Sequence, residues 1–245
     1  MNKTERLTQL FGKRITQGDF APGVALPSEA ELCEQFGVSR NVIREVVKVL
    51  ATKRLIDAQR NRGLFVMPAE RWNYLDVDVL EWTLEKGGHP SLIRSLIEVW
   101  GLILPIISRW AAERATAVDL VDIEASFNAM AANPNRIDVF HEADIRFHRA
   151  VLIASHNVVM QQLSDAVSAL QRAIFDVTFV RDTAHMALTI QEHRELFEAI
   201  RRKLPDAAEA VSRQMIERTA QRAFSGMDRD GDKIRALSPV TEMDS

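Results

Sequence analysis

The chain has 245 residues, and 47% of them are hydrophobic, which supports ordinary globular cores and excludes a mainly disordered protein. One cysteine, Cys33, excludes an intrachain disulfide and fits a reducing cytoplasm. The net charge of −3 is unevenly distributed, because residues 1–70 carry eleven Lys and Arg against eight Asp and Glu, whereas the remainder carries 20 against 26. This asymmetry predicts that the first part faces phosphate and that the second part does not.

Nothing in the sequence predicts a membrane protein. No apolar run follows the first charged residues, so we expect no signal peptide. The longest uninterrupted apolar stretches, such as Leu102–Ile107, are far shorter than a bilayer span. We therefore expect a cytoplasmic protein with no membrane partner.

Three helices are predicted in the basic part of the chain. The first covers residues 4–17, where apolar residues recur at helical spacing. Ser28 begins an S-x-x-E pattern, the signature of a capping box, and opens a short second helix that ends at Gly37. Ser39 is a suitable N-cap for the third helix, Arg40–Thr52. Two helices joined by a tight turn containing glycine are typical of a helix-turn-helix.

A basic hairpin is predicted directly after this motif. Two short strands, Leu55–Gln59 and Leu64–Met67, flank a tip that reads Arg-Asn-Arg-Gly. A helix-turn-helix followed by such a hairpin indicates a winged helix, which we assign to residues 1–70.

The predicted recognition helix carries side chains suited to DNA. Its first turn would enter the major groove, and Arg40 and Arg44 share one face because they are four residues apart. The arginine fork matches guanine O6 and N7 or a phosphate. The alternatives are an ordinary solvated helix and a surface hairpin that is basic by chance. The candidate DNA-binding residues are Ser28, Ser39, Arg40, Asn41, Arg44, Arg60, Arg62 and Gly63.

The rest of the chain is predicted to be entirely helical, so the fold class is mainly α. Residues 71–77 form a linker, residues 78–226 form an all-α bundle for effector binding and dimerisation, and the polar tail 227–245 is disordered. Helices are predicted at 77–86, 90–115, 117–132, 136–155, 157–180, 187–203 and 206–225.

One predicted helix carries a possible metal site. His141, Asp144 and His148 lie on one helical face, and Asp and His four residues apart suit a metal ion. Phe147 beside them indicates a site inside the bundle, and His193 on another helix can face it. Zinc, manganese and nickel all accept this ligand set. The alternative is a polar or capping pair without metal.

The rival function is a catalytic use of this cluster. Asp144, His148 and His193 would leave a coordination position open, as in a zinc hydrolase or lyase. The sequence lacks H-E-x-x-H and G-x-S-x-G, which argues against an enzyme.

These motifs resemble the GntR family of transcription regulators, FadR-type subfamily, whose effector domain is called FCD. The resemblance lies in Leu26-Pro27-Ser28-Glu29, Phe36-Gly37-Val38-Ser39-Arg40, Arg44-Glu45, Arg62-Gly63, Asp144-x-x-Phe147-His148 and Glu192-His193. It implies a homodimer on a palindromic operator, in most cases a repressor released by a small-molecule effector. It also implies a divalent metal, often zinc, held by one Asp and three His.

Within the subfamily, the chain is similar to galactonate-responsive regulators, which implies control of a sugar-acid or related carboxylate operon. Two features depart from the pattern. Asp144, His148 and His193 match the metal ligands, but the region of the fourth reads Met-Ile-Glu-Arg, so water or effector would complete the shell. Trp100 stands where relatives place an effector-binding arginine, and Arg146 and Arg181 are considered as substitutes. The candidate effector-binding residues are Trp100, His141, Thr178, Phe179 and Asp182.

Overall fold

The computed structural model describes residues 2–59, 63–85, 90–178 and 183–237. The chain divides into two compact units, Met1–Gly88 and His89–Ser245. The first unit is helical with a small sheet, and the regular elements in the described residues of the second unit are all helices. The predicted fold class, mainly α with an N-terminal winged helix, is confirmed.

The first unit begins with helices and ends with a wing and a further helix. Its elements are α1 (Lys3–Thr16), β1 (Ala25–Leu26), α2 (Glu29–Phe36), α3 (Arg40–Thr52), β2 (Ile56–Gln59), β3 (Gly63–Val66), a 3₁₀ turn (Ala69–Arg71) and α4 (Val77–Leu84). Its core contains Phe11, Ile15, Ile43, Leu50 and Leu55, which are all at most 3% exposed. The apolar faces of α1 and α3 therefore hold this unit together.

Local sequence signals determine where the helices of the helix-turn-helix begin and end. The Ser28 hydroxyl accepts a hydrogen bond from the Glu31 backbone N–H, and the Glu31 carboxylate accepts one from the Ser28 N–H, so the predicted capping box is present. Gly37 ends α2 in the left-handed region, with φ of 59°. Ser39 is the N-cap of α3 but makes no side-chain capping bond. The bounds of α3 are those predicted.

The sheet has three antiparallel strands in the order β1–β3–β2. The predicted hairpin is present, and its pairing extends from Ile56 opposite Val66 to Gln59 opposite Gly63. The two-residue strand β1 pairs with β3 and was missed, because two residues carry no recognisable alternation. The wing-tip residues 60–62 lie outside the described part of the chain.

Helix α4 and the segment before it pack on the first unit. The Trp82 indole lies against Gly12 so closely that a Cβ there would come within 2.1 Å of the ring. Lys53 Nζ contacts Asp76 Oδ1 and Asp78 Oδ2, each at 2.7 Å. The predicted effector domain begins at residue 78. The boundary lies later because the indole and the ion pairs bind α4 to the winged helix.

The second unit consists of α5 (Pro90–Arg114), α6 (Ala117–Ala131), α7 (Ile137–Ala154), α8 (Val158–Gln161), α9 (Ser164–Thr178), α10 (Thr183–Arg201) and α11 (Pro205–Leu237). The single helix predicted over 157–180 is divided into α8 and α9. The last helix was predicted to end near 225, but α11 extends to Leu237 and into the predicted tail. The remaining residues, 238–245, lie outside the description.

Helix α5 is central to the second unit. It is the one helix in the described residues that is long and apolar enough to cross a membrane by length and composition alone, although its uninterrupted apolar runs are short. Ile93, Ile97, Leu104 and Ile107 recur at helical spacing and are at most 2% exposed. Since this stripe packs against the other helices of the unit, it accounts for the apolar composition of α5 as a core helix.

Candidate DNA-contacting helix and effector pocket

Helix α3 presents one apolar face and one polar face. Ile43 and Leu50 are at most 2% exposed, whereas Arg40, Asn41 and Arg44 are all exposed. The predicted contact residues of the recognition helix therefore lie at the surface, outside the core. The same holds for the N-cap Ser39.

Arg44 makes one weak contact. Its Nε lies 3.2 Å from Glu29 Oε2 on α2, and the arginine side chain is 65% exposed. An exposed ion pair of this kind contributes roughly 0–1 kcal/mol, so a phosphate or base can replace the carboxylate at little cost. The Ser28 hydroxyl is occupied by its capping bonds to Glu31. A DNA contact by Ser28 would have to share these bonds.

The wing is described only at its base. Gly63 is exposed and has φ of 100°, a conformation that residues with side chains rarely adopt. The predicted contacts Arg60 and Arg62 lie outside the described residues.

Asp144, His148 and His193 come together in the second unit. Asp144 Oδ1 lies 2.8 Å from His193 Nε2 and 3.7 Å from His148 Nε2, and the two Nε2 atoms are 3.2 Å apart. A tetrahedral ion with bonds of ~2.1 Å separates its ligand atoms by about 3.4 Å. One donor atom from each residue can therefore reach a common metal ion.

Neighbouring groups orient the cluster. His193 Nδ1 lies 2.7 Å from the Thr189 carbonyl oxygen, which can only accept, so Nδ1 carries the proton and Nε2 faces Asp144. Such a backbone bond is the usual support of a metal-binding histidine. Phe147 packs edge-on against both imidazoles, and Trp100 packs edge-on against His148. The cluster is consequently held in an apolar surrounding.

The electrostatics of the metal-free cluster follow from burial and mutual charge. Burial raises the pKa of Asp144, but the hydrogen bond and charge of His193 outweigh it and lower that pKa to about 2. Burial lowers the pKa of His148 to about 4. Burial also opposes protonation of His193, yet the Asp144 carboxylate raises its pKa overall. The pairing of the two groups thus favours the ionised carboxylate of Asp144 and the protonated form of His193.

A pocket opens beside the cluster. Its lining comprises Trp100, Leu104, Phe140, Asp144, His148, Gln171, Ile174, Phe175, Met186, Thr189, Glu192, His193, Met215, Ile216, Thr219 and Arg222. Trp100 forms an apolar part of the pocket wall, as predicted. His141 is not part of the lining; its ring stacks on Phe175 at 3.7 Å between centroids. Of the other candidates, the Thr178 side chain, Phe179 and Asp182 lie outside the described residues.

Several lining residues escaped sequence reasoning. Gln171 and Arg222 stand on two other helices, and no spacing in the sequence relates them to the cluster, whereas Glu192 adjoins His193 but was given no role. Arg146, considered as a substitute cation, lines a separate surface cleft between α6 and α7. Arg181 lies outside the described residues.

Comparison with known proteins gives a family match for each of the two units. Residues 3–66 match the model of the bacterial regulatory proteins of the gntR family, and residues 95–218 match the FCD domain. The chain belongs to the GntR family. It is 52% identical to the galactonate operon transcriptional repressor of Escherichia coli (strain K12) over 222 residues, which is 91% of this chain and 97% of the relative. This GntR/FCD protein is thus a transcription regulator and not an enzyme.

More distant relatives share the architecture. The Glc operon transcriptional activator of Escherichia coli (strain K12) is 26% identical over 96% of this chain and 94% of its own length. Among solved structures, the Listeria monocytogenes regulator Lar has a TM-score of 0.60 at 15% identity, covering 92% of this chain and 98% of that one. A Streptococcus agalactiae GntR protein has a TM-score of 0.50 at 22% identity, with coverages of 89% and 99%. These two likenesses concern the fold.

Proposed function

We propose that this GntR/FCD regulator is a cytoplasmic repressor of a sugar-acid catabolic operon, released from its operator when a sugar acid such as galactonate binds the second unit. The observation that carries the proposal is the pocket that opens beside the buried polar cluster Asp144, His148 and His193. The similarity to a galactonate operon repressor over nearly the whole chain supports the effector class.

The DNA half of the proposal rests on α3. Arg40, Asn41 and Arg44 project from the first turns of a helix whose opposite face is buried, which is the placement that major-groove reading needs. Ser39 and Gly63 are exposed and would position the backbone, and Arg60 and Arg62 would contact phosphate or the minor groove. We propose a homodimer, because a palindromic operator presents two half-sites that match the two-fold symmetry of a dimer.

The sensor half includes a divalent metal, for which zinc is the proposed identity. Asp144, His148 and His193 would hold the ion, and their donor atoms fit because one carboxylate and two imidazoles lie within 3.7 Å of one another. The ion would supply a positive centre for an anionic or hydroxyl oxygen. The residues themselves would hold its position, since the Thr189 carbonyl fixes one imidazole and Phe147 packs against both.

The test is an operator-release assay. Fluorescently labelled DNA from the upstream region of the regulator's own gene is titrated with the protein, and D-galactonate, other hexonates and the neutral alditol galactitol are added separately. We expect at least one sugar acid to weaken operator binding five- to 150-fold, the usual range of allosteric coupling, and galactitol to have no effect. Operator binding that no sugar acid changes would refute the effector class and leave the DNA-binding assignment standing.

A further inference from the structure

Helix α5 carries a second apolar face besides its buried stripe. Only 39% of the apolar 18-residue window of this helix is buried. Leu102 is 73% exposed and Val99 is 52% exposed. Further apolar residues, all partly exposed, recur with Val99 at alternating intervals of four and three residues, namely Leu92, Leu96, Ile103, Ile106 and Trp110. This spacing is that of a continuous seam along one side of a helix, which we call the outer stripe.

The outer stripe contains no charged residue, and two charged side chains of α5 are turned towards α11. The Arg94 guanidinium lies over the Phe224 ring, 4.2 Å from its centroid. Arg109 Nη1 lies 3.2 Å from Glu209 Oε2 on α11. Because an apolar face without charges offers nothing to a polar ligand, its natural cover is another apolar protein surface.

A second copy of this chain supplies such a surface. A two-fold axis places the same face of each subunit against the other, so the interface has to be self-complementary. The outer stripe extends over about 27 Å from Leu92 to Trp110, at about 1.5 Å per residue. It would form the apolar centre of the interface, and the charged side chains at its two ends would form the polar rim.

The charges at the two ends select an antiparallel arrangement. Leu102 lies near the middle of the outer stripe, with Arg94 about 12 Å before it and Arg109 about 11 Å after it along the helix. A two-fold axis at Leu102 with antiparallel helices therefore brings Arg94 of one copy beside Arg109 of the other. A parallel arrangement would instead bring Arg94 beside the same residue of the second copy, and like charges would meet.

The group around Arg109 suits Arg94 because carboxylates outnumber guanidinium groups in it. Its ion-paired members are Arg109, Glu113, Asp206, Glu209 and Arg213. Three carboxylates against two guanidinium groups leave one negative charge, which Arg94 of the second copy would compensate. Glu98, four residues after Arg94, can pair in turn with an arginine of this group. The two ends of the outer stripe are therefore complementary across the axis.

We infer that the outer stripe of α5 packs antiparallel against the outer stripe of a second copy, with Leu102 at the two-fold axis. This inference rests on the proposed homodimer and adds to it the surface through which the subunits meet. Trp100, on the opposite side of the same helical turn, is 3% exposed and lines the effector pocket. Helix α5 thus lies between that pocket and the inferred interface.

The first experiment measures the dimer dissociation constant of the full chain by sedimentation equilibrium. Wild type is compared with Leu102→Asp, Val99→Asp and the matched control Val121→Asp, since Val121 is a 62% exposed valine on α6 of the same unit. We expect the two α5 variants to raise the dissociation constant at least a hundredfold, because carboxylates would meet in an apolar centre. Val121→Asp should leave it unchanged. Circular dichroism melting checks that each variant is folded.

The second experiment is a cross-link, which decides the matter even where Leu102→Asp fails to fold. Cys33, the one native cysteine, is first replaced by serine. In that background, Leu102→Cys should form an intersubunit disulfide on mild oxidation, because residues at the axis lie within disulfide range, and Val121→Cys should not.

A wild-type dissociation constant in the folded Leu102→Asp variant, or no cross-link through Leu102→Cys in a dimeric protein, would overturn the inference and leave the proposed homodimer standing. If wild type remains monomeric at micromolar concentration, both the inference and the proposed homodimer are wrong.

Discussion

The two units place their charged side chains in opposite environments. On α3 of the first unit, Arg40 and Arg44 are exposed, and the ion pair of Arg44 with Glu29 is a weak surface contact. In the second unit, Asp144, His148 and His193 are enclosed in the bundle, where an uncompensated charge is costly. Exposed cations can be exchanged between water and phosphate at small cost to the fold, whereas a buried cluster links ligand occupancy to stability.

The largest effect is expected when the metal ligands of the second unit are substituted. The double variant His148→Ala/His193→Ala should lose essentially all of the bound metal, because only one carboxylate would remain of the three donors. Elemental analysis of protein purified without chelator measures this, with His156→Ala as the control, since His156 pairs with Asp119 elsewhere in the unit. Equal metal content in the double variant and in wild type would remove the cluster as the binding site.

Substitution of Arg40 and Arg44 tests the exposed side chains of the first unit. Arg40→Ala and Arg44→Ala should each reduce specific operator affinity by about 1–3 kcal/mol and leave the melting temperature unchanged, because neither side chain is in the core. Gel-shift titrations with operator and unrelated DNA measure the effect. Arg14→Ala is the matched control, since Arg14 is an arginine of the same unit paired with Asp19. Wild-type operator affinity in both variants would exclude α3 as the recognition helix.

The pH dependence of metal affinity tests whether the metal must displace a proton from the buried His193. The Asp144 carboxylate raises the pKa of His193, so the metal-free protein keeps a proton on His193 above the ordinary value of 6.5. Metal must displace that proton, and its affinity should therefore fall by up to about tenfold per pH unit below the raised pKa and level off above it. Calorimetric titrations with zinc from pH 5.5 to 8.5 test this; a flat profile would contradict it.

Lys53 sharpens the comparison because it is a buried cation within the first unit. Its side chain is 10% exposed, whereas its partners Asp76 and Asp78 are 26% and 52% exposed. Replacing it by methionine leaves two carboxylates unpaired at the base of α4, and solvent screens part of the loss, so we expect about 1–3 kcal/mol less stability in urea unfolding. Lys13→Met, which removes an exposed pair with Glu85, should change stability by no more than roughly 1 kcal/mol. Equal effects of the two would show that burial does not decide the difference.

The smallest effect is expected at the wing. Arg62→Ala should weaken binding to all DNA sequences alike and reduce the slope of log affinity against log salt by about one, because one fewer counterion is released. Filter binding at several salt concentrations measures the slope. An unchanged slope would exclude a phosphate contact, and an altered base preference would indicate direct readout instead.

The sequence by itself determined the elements whose causes are local. The capping box at Ser28, the glycine at position 37 and the apolar period of α3 fixed the helix-turn-helix, and the four-residue spacing placed Asp144 and His148 on one face. Such signals act within one or two helical turns, and they can therefore be recognised from the sequence alone.

Only the tertiary structure decided which distant surfaces meet. Helix α4 joined the first unit because the Trp82 indole fits against Gly12, a contact between residues 70 positions apart. The pocket wall likewise combines Gln171 on α9, Glu192 on α10 and Arg222 on α11. A helix period reveals which face is buried but not which neighbour covers it, so the residues that would select the effector became visible only in the packed bundle.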